Sequence, residues 1–168
     1  MNALDIELAV VEFFGKRKFM MVPNVSYGFD LNYEADLIIL TPTDFLYEVE
    51  IKVSKSDMKA DLKKHRSHSC IYVKRLYFAF PEQLLETALE ILPEDVGLFV
   101  AYTHLNGSVY VELKRKPKER TNCKPVPVEK KYKLARLGVL RMWNMKNMLY
   151  SKQPRQTLLN FNKDIFGD

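Results

Sequence analysis

Two short β-rich runs joined by a tight turn constrain this chain more than any other stretch. The first, Ala35 to Leu40, is apolar except for Asp36. Pro42, Thr43 and Asp44 supply turn chemistry. The second, Phe45 to Val53, alternates: Glu48, Glu50 and Lys52 share one face, and Val49, Ile51 and Val53 share the other. An aspartate therefore lies one strand away from two glutamates and a lysine. Ionised groups on an inner strand cost several kcal/mol unless they are paired or bind a metal. Asp36 and Glu50 offer hard oxygen donors of the kind that hold Mg2+ or Mn2+, ions that need only one or two protein carboxylates and keep several waters. Glu34 and Glu48 share faces with Asp36 and Glu50 and are alternative ligands or supports. Lys52 would assist an attacking water or neutralise charge developing on a phosphate. The competing reading is a solvated strand face on which Glu and Lys simply pair. The β-branched flanks and the helix start at Ser54 weigh against it.

The order Asp…Glu-x-Lys on consecutive strands resembles the PD-(D/E)XK nuclease superfamily. More narrowly, E-A-D-L-I-I-L, Y-E-V-E-I-K-V-S-K-S-D-M-K-A-D, R-L-Y-F-A-F-P and L-P-E-D-V-G-L-F-V-A-Y, in that order between Val22 and Glu112, resemble the MmcB-like DNA repair proteins. Ala35 stands where the superfamily's name-giving proline would precede the aspartate. The resemblance implies a restriction-endonuclease-like α/β fold and Mg2+- or Mn2+-dependent cleavage of DNA, with Asp36, Glu50 and Lys52 catalytic. In the superfamily an acidic residue on the first helix often joins the metal. Glu7 and Glu12 are the candidates here, and a helical rotation of roughly 140° between them allows at most one to face inward. The helix after the E-x-K faces the scissile strand in such nucleases. The stripe Lys55, Lys59, Lys63 and Arg66 would then hold phosphates.

The remaining elements complete an α-β-β-β-α-β core. Asn2 to Lys18 reads as an amphipathic helix, capped by Asn2, with Leu4, Leu8, Val11 and Phe14 on its apolar side. Phe19 to Ser26 is a strand, and Tyr27 to Asp30 a turn. Ser54 to about Ser67 is a helix with Met58 and Leu62 inward. Lys74 to Phe80 is a strand, and Glu82 to Leu92 a short helix. Val96 to Tyr102 and Ser108 to Leu113 form a hairpin whose Asn106-Gly107 suggests a type I′ turn. His65 and His68 share a helical face, but without a third soft ligand they do not suggest a zinc site.

Charge divides the chain sharply. Residues 1–113 carry 11 Lys and Arg against 17 Asp and Glu, whereas residues 114–155 carry 14 against 2. An acidic metal site that must approach a polyanion gains from a basic appendage, which offsets repulsion and steers encounter. The expected organisation is a nuclease-like domain over residues 1–113, a basic linker over 114–129 with Pro117, Pro125 and Pro127, and a basic helix and tail over 130–168. On that helix Lys133, Arg136 and Arg141 are candidate DNA contacts. Leu134, Gly138, Met142, Met145 and Leu149 form an arc for docking on the sheet or on a second copy of the chain. Trp143 falls between the two arcs. No apolar run approaches the ~20 residues of a membrane span, and the opening residues do not read as a secretory leader. Cys70 and Cys123 lack metal spacing, and a reducing cytoplasm is expected. Two further readings are a non-catalytic DNA-binding repair accessory and a protein-interaction module using the C-terminal helix.

Overall fold

The computed structural model describes residues 1–26, 29, 31, 33–64 and 70–152, the side chains at 61–64 excepted. The order is α1 (Ala3–Phe14), β1 (Met20–Val25), β2 (Ala35–Leu40), β3 (Leu46–Ile51), α2 (Lys55–Lys64), β4 (Val73–Pro81), α3 (Leu85–Ile91), β5 (Gly97–Thr103), β6 (Val109–Arg115) and α4 (Val128–Ser151). The strands form one six-stranded mixed sheet in sequential order. β3, β4 and β5 run parallel, and the other neighbours pair antiparallel. This is the mixed α/β sheet with flanking helices that the sequence predicts, and the core helices supply the long connections parallel strands need. None of the described helices is long and apolar enough to cross a membrane.

Strand alternation divides the core between two faces. α1 lays Ile6, Ala9 and Val10 on Leu37, Ile39, Val49, Ile51 and Phe99. On the opposite face Met58 of α2 and Ala88 of α3 cover Phe78, Phe80 and Val100, while Leu134 of α4 packs with Val22, Ile38 and Leu40. The inner strands are buried on both faces, as parallel strands must be. Glu48 and Glu50 lie on the α2 side, among those side chains.

Several sequence expectations need correction. Asn2 caps α1 in a reciprocal capping box with Asp5, as its position suggests. The buried stripe, however, is Ile6, Ala9 and Val10; Leu4 and Leu8 face solvent. Docking on the sheet sets the helix's rotation, and sequence spacing leaves it free by one position. The β5–β6 connection is not type I′. Asn106 does not have positive φ; Gly107 does, at 84°. Gly107 N–H donates to His104 O and His104 N–H to Ser108 O, a type I turn followed by a glycine bulge. The stretch before α4 is irregular, as expected, but it is tied down. Lys118, Arg120, Lys124 and Val126 donate backbone hydrogen bonds to Asp95, Lys74, Ile71 and Asp44, and Val126 is buried. Finally, only Leu134 of the proposed α4 docking arc is buried, with Gly138 against Val22; Met142, Met145 and Leu149 are exposed. His65, Arg66, His68 and the tail beyond residue 152 lie outside the described residues, as do Tyr27, Gly28 and Asp30.

Candidate active site

The turn between β2 and β3 sets a register in which Leu37 pairs with Val49. Asp36 therefore lies near the start of β2, next to Ala35 and beside the end of β3, and its Oδ2 accepts the Ile51 N–H at 2.7 Å. Lys52 continues along β4, donating its N–H to Ala79 O at 2.9 Å. Its side chain turns back into the sheet face. Nζ donates to Glu50 Oε2 at 2.8 Å and lies 3.4 Å from Asp36 Oδ2. The two carboxylates are thus separated by no more than the span of those contacts. The strand geometry expected from period two brings all three groups together.

Burial makes this cluster unusual. Glu48 is 0% exposed, Glu50 2% and Lys52 5%. The Asp36 side chain is 35% exposed and is the cluster's opening to solvent. Glu48, two positions before Glu50, accepts a 2.8 Å hydrogen bond from the Tyr33 hydroxyl. Glu50 Oε1 is buried, with no hydrogen-bond partner among the described residues. Such an oxygen costs of order 1–3 kcal/mol unless something else occupies its lone pairs.

The electrostatics point the same way. Burial, then the Asp36 charge, pushes the Glu50 carboxyl up to about 8, against the opposing pull of Lys52. Burial, then Asp36, also raises Glu7. The Tyr33 phenol is driven upward by burial and then by Glu48. Of the two first-helix glutamates, Glu7 is the one whose charge is felt at Asp36. Glu12 is exposed and pairs with Lys16. Glu34 is also exposed. Among the described residues the cluster holds more carboxylates than ammonium groups, which favours either a bound proton or a bound cation.

The donor set limits which cation fits. Among the described residues no three His, Cys, Asp or Glu side chains converge as metal ligands. Asp36 and Glu50 alone do not make the closed four-ligand shell of structural zinc. They do suit an ion that keeps most of its water, as Mg2+ does. The orphaned Glu50 oxygen and the open Asp36 are what such an ion requires, so the residues present fit it.

The cationic candidates divide. Ser54 caps α2 through the Asp57 N–H, and Lys55 and Lys59 stand exposed on it just after Lys52. The Lys63 side chain is not among those described. On α4, Lys133 and Arg136 are exposed, but Arg141 turns inward and donates to Asn24 O at 2.7 Å. Arg141 therefore fastens the helix to β1. From Lys131 paired with Asp44, past Gly138 at Val22, to Arg141 at Asn24, α4 runs along β1 toward the end of the sheet that holds Asp36. Sequence reasoning missed Tyr33, whose role depends on a loop conformation that no local pattern reports.

Comparisons with known proteins agree with this architecture. A family model described as DNA repair protein MmcB-like matches residues 1–146. No curated protein matches the chain. Among solved structures, the SPO1766 protein of unknown function from Silicibacter pomeroyi is similar, at 17% identity and a TM-score of 0.63. That match covers 92% of this chain and 96% of the other, and at such identity it shows the fold alone.

Proposed function

We propose that this chain, which belongs to the MmcB-like DNA repair protein family, is a metal-dependent deoxyribonuclease whose centre is Asp36, Glu50 and Lys52. The observation that carries the reading is the buried Glu50 carboxylate, with one oxygen on Lys52 and the other without a partner among the described residues, beside the part-exposed Asp36. Asp36 and Glu50 would hold Mg2+ or Mn2+. When bound, the ion supplies an activated water and charge neutralisation at the phosphate. The Ile51 N–H fixes the Asp36 carboxylate in place. Lys52 keeps its ammonium at the carboxylates, where it can meet charge developing on a phosphoryl oxygen. Glu7 adds negative charge behind Asp36, and Tyr33 holds Glu48 away from solvent. Lys55 and Lys59 would hold the backbone of the DNA strand as point charges.

A non-catalytic DNA-binding accessory is the second reading. One observation favours it: the Lys52 ammonium already bridges the two carboxylates and partly satisfies their charge. The readings separate in a cleavage assay on duplex, single-stranded, flap and junction DNA with Mg2+ or Mn2+. The nuclease reading expects cutting of at least one substrate, abolished in both Asp36→Asn and Lys52→Ala. Binding without cutting of any substrate by the wild type would leave the accessory reading.

A further inference from the structure

A second cluster lies on the same face and at the same end of the sheet as the carboxylates. Tyr102 and Tyr110 stand directly opposite across β5 and β6, their rings stacked at 5.4 Å between centroids. The His104 ring stacks on Tyr110 at 4.2 Å and 26°. The outcome is a three-ring column in the order Tyr102, Tyr110, His104. Its inner end is closed by Lys114 Nζ, 5.2 Å over Tyr102. Its outer end is the exposed imidazole, on which no other described ring stacks. Beside it, at the hairpin tip, Leu105 is fully exposed.

Cross-strand packing accounts for the two tyrosines. It does not account for a third ring carried beyond the end of the strand into solvent, next to a bare leucine. Position adds to this. β3 and β5 are parallel to β4, so the C-terminal ends of both lie at one edge of the sheet. Glu50 is level with Leu98 across β4, and Tyr102 follows four residues later on the same face. Strand spacing and rise place Tyr102 ~16 Å and His104, the outer end, ~22 Å from Glu50, a few nucleotides of extended strand.

We propose that the His104–Tyr110–Tyr102 column is a stacking platform for an unpaired nucleobase, with Leu105 as a wedge beside it. It receives a single-stranded stretch of the DNA whose backbone reaches Asp36. Aromatic faces accept any base and hold a strand in place without reading sequence, and an apolar tip can enter between bases that are already unstacked. Lys114 adds positive charge near the strand, although it also pairs with Glu112. The proposal rests on the DNA reading above but not on cleavage.

The test is fluorescence anisotropy with a labelled single-stranded oligonucleotide and its duplex, in EDTA, at about 50 and 200 mM salt. The full chain and the variants His104→Ala with Leu105→Ser, and His104→Phe, are compared. Both positions are exposed, and an unchanged melting temperature verifies folding. The double variant is expected to weaken single-strand binding about tenfold at either salt, with duplex binding changed less than about twofold. His104→Phe should keep the wild-type preference. Equal loss on both DNAs, unchanged single-strand affinity, or no binding to either DNA overturns the proposal. Because EDTA removes divalent ions, a protein that fails to cut DNA can still pass.

Discussion

β3 and the second half of α4 break the burial rule in opposite directions. β3 takes two carboxylates, with Lys52 just beyond, into a sheet covered on both faces, where an aliphatic strand would be more comfortable. α4 carries Val139, Leu140, Met142, Trp143, Met145, Met148, Leu149 and Tyr150 at 40–60% exposure, where water would favour polar residues. The first half of the same helix is anchored, with Leu134 buried and Gly138 close against Val22, although Val128 and Tyr132 are exposed there too. Departures of this kind are where a fold gives up stability for something else. At β3 the charges converge and leave an oxygen without a partner among the described residues, which the cation proposed above would satisfy. On α4 the apolar groups spread over much of the helix surface and specify nothing as narrow.

The comparison can be broken most severely at Lys52. Lys52→Met leaves Glu50 and Asp36 without their shared ammonium, and breaking a buried pair in this way costs about 3–5 kcal/mol. Urea unfolding in EDTA at pH 9, where the wild-type Glu50 carboxylate is ionised and paired, should show that loss. Added Mg2+ should restore part of it, since a cation would replace the missing charge. Next in size is Leu134→Ala, expected to cost about 2–4 kcal/mol by opening a cavity between α4 and the sheet. Met148→Ser, on the same helix but in solvent, should change stability by no more than about 0.5 kcal/mol. Equal costs at Leu134 and Met148 would mean that the outer half of α4 is also packed.

A smaller effect sharpens the β3 side. The Glu50 carboxyl is raised to about 8 in the folded chain. The folded state therefore binds more protons than the unfolded state between the ordinary carboxylate value and about pH 8, and stability must fall as pH rises through that window. Without metal, unfolding by urea across pH 5 to 8.5 should show this decline. Glu50→Gln should flatten it, and saturating Mg2+ should oppose it, because a bound ion favours the deprotonated carboxylate. A profile unchanged by Glu50→Gln would assign the slope to another group.

How much of this was legible in the sequence depends on the period of each element. Alternation of two and one short turn fixed the neighbourhood of Asp36, Glu50 and Lys52, because a one-residue slip would have put the apolar set in the wrong place. Helical phase was less constrained. Leu4 and Leu8 matched a buried stripe that the helix in fact turns to water, and the choice of Glu7 over Glu12 waited on that rotation. Arg141 was a candidate DNA contact on its charge alone, and the Asn24 carbonyl to which it also donates was not visible in the sequence. The aromatic column was half legible. The residues Tyr102, His104 and Tyr110 could be read, but their stacking needs the register set by the bulged turn at Gly107, which the sequence suggested in a different form.

The central claim concerns the ion between two strands. Crystals grown with Mn2+ and measured at the manganese edge test it directly. The account expects an anomalous peak at about 2.2 Å from oxygens of both Asp36 and Glu50, lost in Glu50→Gln. Ordered density for the Lys52 ammonium still bridging those carboxylates at saturating Mn2+, with no peak beside them, would contradict it.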